Sequence, residues 1–357
     1  MCNQIHRHSI FCILPPFMLR SVLEKGTAKQ KKAAAATIGV STTFRAMRAQ
    51  LATATPLEVR RRRSVLAATS GKQRTIFTAG NAETLPGTVV RHEGAPKSGN
   101  PAVDEAYDGL GHTFDFFSDI FDRNSIDDQG LALNATVHYG SSYNNAFWNG
   151  QRMVFGDGDN QLFNRFTISL DIIGHELAHG VTEDETGLVY MDQPGALNEH
   201  LSDVWGSLIK QRVLKQTADQ ADWLIGVGIL HQSVQGKALR SMKAPGSAYD
   251  HPVLGKDPQP SHMKNYVVTW DDNKGVHINS GIPNHAFYLA ATALGGRAWE
   301  KAGRVWYDAI LDERTTEGTD FATFATITID AAKKRLPKAD AKAVADAWAK
   351  VGVVPTS

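Results

Sequence analysis

The stretch His175-Glu176-Leu177-Ala178-His179 constrains the fold more than any other part of the chain. Two imidazoles four residues apart lie on one face of an α-helix, one above the other. That spacing lets both rings reach a single ion at about 2.0–2.1 Å. Glu176 points to a neighbouring part of the same face, where it reaches water held at such an ion without ligating the ion itself. A pattern with three fixed letters also arises by chance as a charged stripe on an exposed helix, so the context decides. A catalytic zinc needs a third protein ligand and an open position. Glu199, twenty residues after His179, supplies the ligand from a second helical run, Asn198-Glu199-His200-Leu201-Ser202-Asp203. Asp203 lies one turn beyond Glu199, placed to accept the N–H of a ligating imidazole and fix its orientation. Leu197, Leu201, Val204 and Trp205 bracket these acids, so the face runs beside a core rather than in solvent. The fold must therefore bring two helices together at their polar faces.

Length and composition permit this. The 357 residues suffice for a short leader and a two-lobed body, and 42% apolar residues can fill a sizeable core. The net charge of +1 hides an asymmetry. Residues 1–70 carry 12 Lys and Arg against Glu24 and Glu58, while the remainder carries 26 Lys and Arg against 35 acids. A basic leader on an acidic body reads either as a solvated arm or as a segment that docks on its own body by charge complementarity. Cys2 and Cys12 both lie in the leader, so the body has neither disulfides nor thiolate ligands. No apolar run is long enough to span a bilayer. Ile10–Leu19 is apolar but short, is broken by Pro15-Pro16 and precedes no small-residue cleavage site. The expectation is a protein without a conventional signal peptide, cytoplasmic or secreted by a non-classical route. No nucleic-acid or membrane partner is expected.

Residues 21–53 have helical spacing without a strong core pattern. The four arginines at 60–63 suit an exposed, protease-sensitive linker better than a nucleic-acid site. This places residues 1–70 as leader and linker (a prosegment on the resemblance given below), with the boundary to the body between about 60 and 85. Residues 71–182 form a strand-rich lobe ending in the metal-binding helix, and 183–357 a helical lobe. In the first lobe, turns are dense, Ala102–Phe121 has helical periodicity, Ala135–Tyr139 reads as a strand, and Asn144–Gly150 is aromatic but turn-like. Further helices are expected at about 168–182, 196–215, 280–294, 298–312, 320–335 and 339–350. The class is α+β, with the metal site between the lobes.

Six stretches in order resemble the thermolysin family of zinc metallopeptidases: Asn144–Gly150 (NNAFWNG), Met153–Asp159 (MVFGDGD), Asp171–His179 (DIIGHELAH), Gly195–Asp203 (GALNEHLSD), Leu239–Met242 (LRSM) and Gly275–Gly281 (GVHINSG). The leader, with Cys12-Ile13-Leu14-Pro15-Pro16-Phe17, resembles the short prosegment of the protealysin-like branch. The resemblance implies a monomeric zinc endopeptidase acting on proteins or peptides, with its own prosegment as intramolecular inhibitor. It implies one catalytic zinc on His175, His179 and Glu199, with Glu176 as base. It implies that Tyr190 and His277 hydrogen-bond the oxyanion, that Asp272 orients His277, and that Arg240 donates to the carbonyl just past the scissile bond. Asn145, Ala146 and Trp148 would pair with an extended substrate, and Asn198 would add a hydrogen bond to it. Phe163, Phe166, Ile172, Ile225, Ile229 and Leu239 would line an apolar pocket, favouring cleavage on the amino side of bulky hydrophobic residues.

The chain departs from the family at its calcium pair. Asp171 and Asp222 remain, but Lys210, Leu224 and Val227 replace other acidic positions, and a double calcium site needs many oxygens. The expectation is that this site is lost and that Lys210 pairs with Asp171 or Asp222 in its place. Two alternatives stand beside the endopeptidase: a zinc aminopeptidase, and a binding protein whose leader is never removed. For Cys12 the alternatives are a thiolate on zinc and simple packing beside Pro15-Pro16-Phe17.

Overall fold

The computed structural model describes residues 11–54 and 71–356. The arginines at 60–63, Cys2 and much of the expected boundary region lie outside the described residues. The class is α+β, as the periodicities imply. A six-stranded sheet is built from β1 (Phe11–Cys12), β2 (Arg74–Thr78), β3 (Thr88–His92), β4 (Leu133–Val137), β5 (Ala146–Trp148) and β6 (Met153–Phe155), in the order β1-β5-β6-β4-β2-β3. Strand β2 runs parallel to β4, and β4 parallel to β6; the remaining pairs are antiparallel. The leader thus supplies an edge strand to the body's sheet.

Two leader helices follow β1: α1 (Pro16–Lys25) and α2 (Ala28–Ala54). Between β3 and β4 lies α3 (Pro101–Phe121), started by the Asn100 side chain, which accepts from the Ala102 and Val103 N–H groups, and ended by Asp122 in a left-handed conformation. The second half is helical: α4 (Leu170–Glu185), α5 (Asp192–Val213), α6 (Asp272–Asn279), α7 (Gly281–Leu294), α8 (Ala302–Leu311), α9 (Phe321–Arg335) and α10 (Lys338–Lys350). Stacked Trp306 and Trp348 rings, 6.0 Å apart, centre the core of the last helices.

Asn144–Gly150 differs from its turn-like reading. Its middle is strand β5, buried throughout between β1 and β6. A three-residue strand covered on both faces shows no alternation, so periodicity misses it. The leader differs too. Ile13, Leu14, Met18, Leu19 and Val22 are each at most 3% exposed within the main core, and Ser21 Oγ donates to the Val253 carbonyl at 2.8 Å. Among the described residues its ion pair with the body is Arg20 with Asp271, at 3.4 Å between a half-exposed arginine and an exposed aspartate. Apolar burial therefore outweighs charge in holding the described leader down.

Helices α4 and α5 pack antiparallel, and small residues let their backbones touch. A Cβ on Gly206 would stand 2.3 Å from the Asp171 carbonyl oxygen and 3.1 Å from the His175 nitrogen, and one on Gly174 would stand 3.2 Å from the Gly206 Cα. Along this seam Asp171 faces Lys210, His175 faces Asp203, and His179 faces Asn198 and Ser202. Gly206→Ala must push the helices apart against a carbonyl that cannot yield. It is expected to cost at least about 1–3 kcal/mol of stability and to weaken zinc binding, read by thermal unfolding and zinc titration. Unchanged melting and affinity would refute the seam's role.

Candidate metal centre

The Nε2 atoms of His175 and His179 stand 3.1 Å apart, and each is 3.5 Å from a Glu199 carboxylate oxygen. Among the described residues these three side chains form the metal-competent group, with donor atoms within 4.8 Å of one another and all buried. The Nδ1–H of His175 donates to Asp203 Oδ1 at 2.8 Å, and Nδ1 of His179 lies 2.7 Å from the Asn198 carbonyl oxygen and 2.9 Å from Ser202 Oγ. With Nδ1 protonated, both Nε2 lone pairs point at the same small space, beside a Glu199 oxygen that has no hydrogen-bond partner. Two lone pairs and a buried carboxylate facing one another are stable only around a cation. Ligand atoms at 2.0–2.1 Å round a tetrahedral ion stand roughly 3.3 Å apart, which these separations match. Burial, then neighbouring His175, hold the His179 pKa well below its usual value, so the ring is neutral as a ligand must be. The donor set fits zinc.

Asp203 anchors the surroundings. It accepts from His175, from Nε and Nη2 of Arg240 at 2.9 and 2.8 Å, and from Asn284 Nδ2 at 2.8 Å. Burial alone would raise its pKa, but Arg240 and His175 prevail and hold it far below the usual carboxylate range. Arg240, on a short strand β7 (Arg240–Ser241), is correspondingly raised: burial opposes the charge, and Asp203 overcomes it.

Glu176 is fully buried. Burial, and next the charge of Glu199, push its pKa well above normal, and the Trp148 N–H donates to its Oε2 at 3.1 Å. Tyr190 donates to Glu199 Oε1 and its hydroxyl lies 3.3 Å from His277 Nε2. Burial, then Glu199, raise the Tyr190 pKa, so it keeps its proton as a donor. Asp272 accepts from both Nδ1 (2.6 Å) and the backbone N–H (2.9 Å) of His277. Burial would lower the His277 pKa, but Asp272 and Glu199 outweigh it and the pKa is raised. The aim of this ring depends on Asp272–Gly275, four consecutive residues with φ of 55, 50, 65 and 79°. This left-handed turn is costly for Lys274, and it swings the chain so that Asp272 closes back on His277.

The other expected residues fall as follows. Asn145 Oδ1 and the Ala146 carbonyl face the leader strand rather than solvent, accepting from Leu14 N at 3.1 Å and Ile13 N at 3.3 Å. Phe163, Phe166, Ile172, Ile225, Ile229 and Leu239 are buried in the same apolar cluster as Ile13. Asn198, expected to meet substrate, has its oxygen on His179. The Cys12 thiol packs with Val40, Tyr139, Tyr143, Phe147 and Val154, near Ser41 Oγ, and it is the Cys12 carbonyl that meets His277, at 3.1 Å. Asn284 and Ser202, which hold Asp203 and His179, escaped the reading; the signal for Asn284 is a lone amide in the apolar helix Gly281–Leu294. Lys210 Nζ is 2.8 Å from Asp171, 2.9 Å from Asp222 and 2.6 Å from the Leu224 carbonyl, pairing with both of the acids expected for it.

A solvent-excluded two-histidine, one-glutamate centre with an adjacent buried acid is the centre of a metal-dependent hydrolase. The chain belongs to the thermolysin family of metallopeptidases: residues 47–183 match the family's catalytic domain and residues 186–353 its alpha-helical domain. It is 52% identical over 344 residues, 96% of each chain, to the extracellular metalloprotease of Pectobacterium carotovorum, and 42% identical over 297 residues, 81% of this chain and 79% of the other, to the extracellular minor metalloprotease of Serratia marcescens. The structure of the precursor of protealysin, a metalloproteinase from Serratia proteamaculans, superposes with a TM-score of 0.87 at 54% identity, over 96% of this chain and all of that one. The chain is a protealysin-like zinc metalloendopeptidase, which removes the aminopeptidase and binding-protein alternatives. The expected cytoplasmic location is corrected by the relatives named extracellular, with which the other expectation, export by a non-classical route, is compatible.

Lys210→Met leaves Asp171, wholly buried, beside no cation. Stability is expected to fall by about 3–5 kcal/mol in chemical denaturation, and Asp171→Asn in the same chain to restore much of it. A loss below about 1 kcal/mol would show the pair to be dispensable.

Proposed function

We propose that this enzyme acts outside the cell as a monomer and cuts proteins on the amino side of bulky hydrophobic residues, and that it is made as a zymogen inhibited by its own leader. On this reading residues 1–70 are prosegment and linker, 71–182 the first catalytic lobe and 183–357 the second. The observation that carries the proposal is the convergence on one buried point of the donor triad, the acid Glu176 and the pair Tyr190 and His277.

His175, His179 and Glu199 would hold the zinc, which when bound supplies Lewis acidity to the scissile carbonyl and to water. Glu176 accepts the proton of the attacking water and passes it to the leaving amine. Tyr190 and His277 offer O–H and N–H donors, respectively, where negative charge develops on the carbonyl oxygen, with Asp272 keeping His277 oriented. Arg240, held by Asp203, donates to the carbonyl after the cut. Asn145, Ala146 and Trp148 pair with the substrate backbone, and the apolar six receive the side chain past the bond. Support for an apolar slot comes from these six being buried and uncharged. Support for a zymogen comes from leader residues 11–14 occupying the edge that substrate would need, and from the likeness to a protease precursor. Lys210 would stand where the family holds calcium, so that the double site is lost.

Glu176→Gln is expected to keep zinc at one ion per chain by elemental analysis while losing about 10²–10⁴ in turnover; wild-type activity would remove the base. The activated enzyme should cut blocked peptides before Leu, Phe or Ile, with differences of about 1–3 kcal/mol for methylene-scale changes, and chelation should abolish this. Preferential cutting before charged residues would overturn the specificity. Calorimetric calcium titration of the chelated protein should show no tight two-ion binding.

A further inference from the structure

Residues 11–14 lie in the cleft in an order that carries information. Strand β1 is antiparallel to β5, with Phe11 opposite Trp148 and Cys12 opposite Phe147. The Ile13 N–H donates to the Ala146 carbonyl at 3.3 Å, and the Leu14 N–H to Asn145 Oδ1 at 3.1 Å. The Cys12 carbonyl accepts from His277 Nε2 at 3.1 Å, whereas the next carbonyl, of Ile13, lies 3.4 Å from Arg240 Nη1. The Ile13 side chain is fully buried among the apolar cluster. A segment threaded backwards would present these carbonyls in the reverse order. Here the residue before the Cys12–Ile13 peptide bond meets the oxyanion donor, and the residue after it meets the donor for the following carbonyl and offers a bulky apolar side chain.

We infer that the Cys12–Ile13 peptide bond sits in the register of a scissile bond and is the first bond the enzyme cuts in its own chain. The inference rests on the site roles proposed above and names the first substrate of that site. Three further features agree with it. The Ile13 N–H faces the Glu176 carboxyl, which would have to protonate that nitrogen. A cavity of about 240 Å³, lined by Cys12, Tyr190, Asp272, His277 and Trp270, opens beside the Cys12 carbonyl and gives water a way in. Pro15, at φ −63° and ψ 145°, turns the chain off the strand into α1 immediately after Leu14, so the substrate-like stretch is confined to the bond in question. The chemistry needs only water: its oxygen joins the Cys12 carbonyl carbon, the C–N bond breaks, one water proton passes through Glu176 to the Ile13 nitrogen, and residues 1–12 leave with a new carboxylate while Ile13 becomes an amino terminus.

Metal-free full-length protein, mixed with zinc and sampled over time by intact mass spectrometry, tests this. The earliest product should begin at Ile13, form with first-order kinetics, and keep the same half-life over a 100-fold dilution; Glu176→Gln should stay intact. Amide hydrogen exchange in metal-free Glu176→Gln should show Ile13 and Leu14 protected at least 10-fold over an unstructured peptide, whatever the activity. Protein that hydrolyses casein while the Cys12–Ile13 bond survives, or is cut first elsewhere, overturns the inference and leaves the proposed function standing. Failure on both casein and the leader overturns both. Unprotected amides at 13 and 14 overturn the register.

Discussion

Everything in the cleft depends on two helices that touch through backbone. Where Gly174 and Gly206 meet, α4 and α5 approach closely enough for Asp171, His175 and His179 on one to face Lys210, Asp203 and Asn198 on the other. The approach distributes charge along the seam with opposite purposes. At one end a lysine neutralises a buried aspartate. In the middle an aspartate, itself clamped by Arg240 and Asn284, orients an imidazole. At the other end two ring nitrogens and Glu199 are left facing each other with nothing but a cation able to reconcile them. Burial makes each pairing matter, because a stranded charge there has no water to fall back on.

The polar cluster is one connected network rather than a set of separate parts. Tyr190 touches Glu199 and His277, His277 is gripped by Asp272, and Arg240 shares Asp203 with His175. The zinc ligands and the groups that would meet substrate are therefore tied through common carboxylates. Substitutions at Asp203 or Glu199 should be expected to disturb both together, and double-mutant cycles rather than single changes are needed to apportion them.

Much of this was legible in the residues, and the reasons are physical. Helical spacing revealed α3, α4, α5 and α7 to α10 to within a few residues, because each buries one face over several turns, whereas the short α6 escaped it. The i, i+4 histidines and the acid on the following helix pointed to the centre, because ligation demands a shared face. What stayed hidden depended on tertiary context. The β5 strand is too short and too evenly buried to alternate. Asn198 and Ser202 look like any polar helix residues until His179 is beside them. The left-handed turn at Asp272–Gly275 violates the ordinary preference of Asp, Asn and Lys, and only the grip of Asp272 on His277 explains it. The leader looked like a weakly patterned basic arm, since its few apolar residues are spent on a groove belonging to the rest of the chain.

The ammonium of Lys210 carries a last consequence. A dissociable cation in that corner would tie the rigidity of the helix seam to the composition of the surrounding fluid, and dilution or a competing chelator would loosen it. A cation fastened to the backbone is always at full occupancy. The component of the centre that the environment can withdraw is then the ion between the imidazoles, so scavenging of metal would silence the chemistry and strain the donor triad while the Lys210 end of the seam stays neutralised.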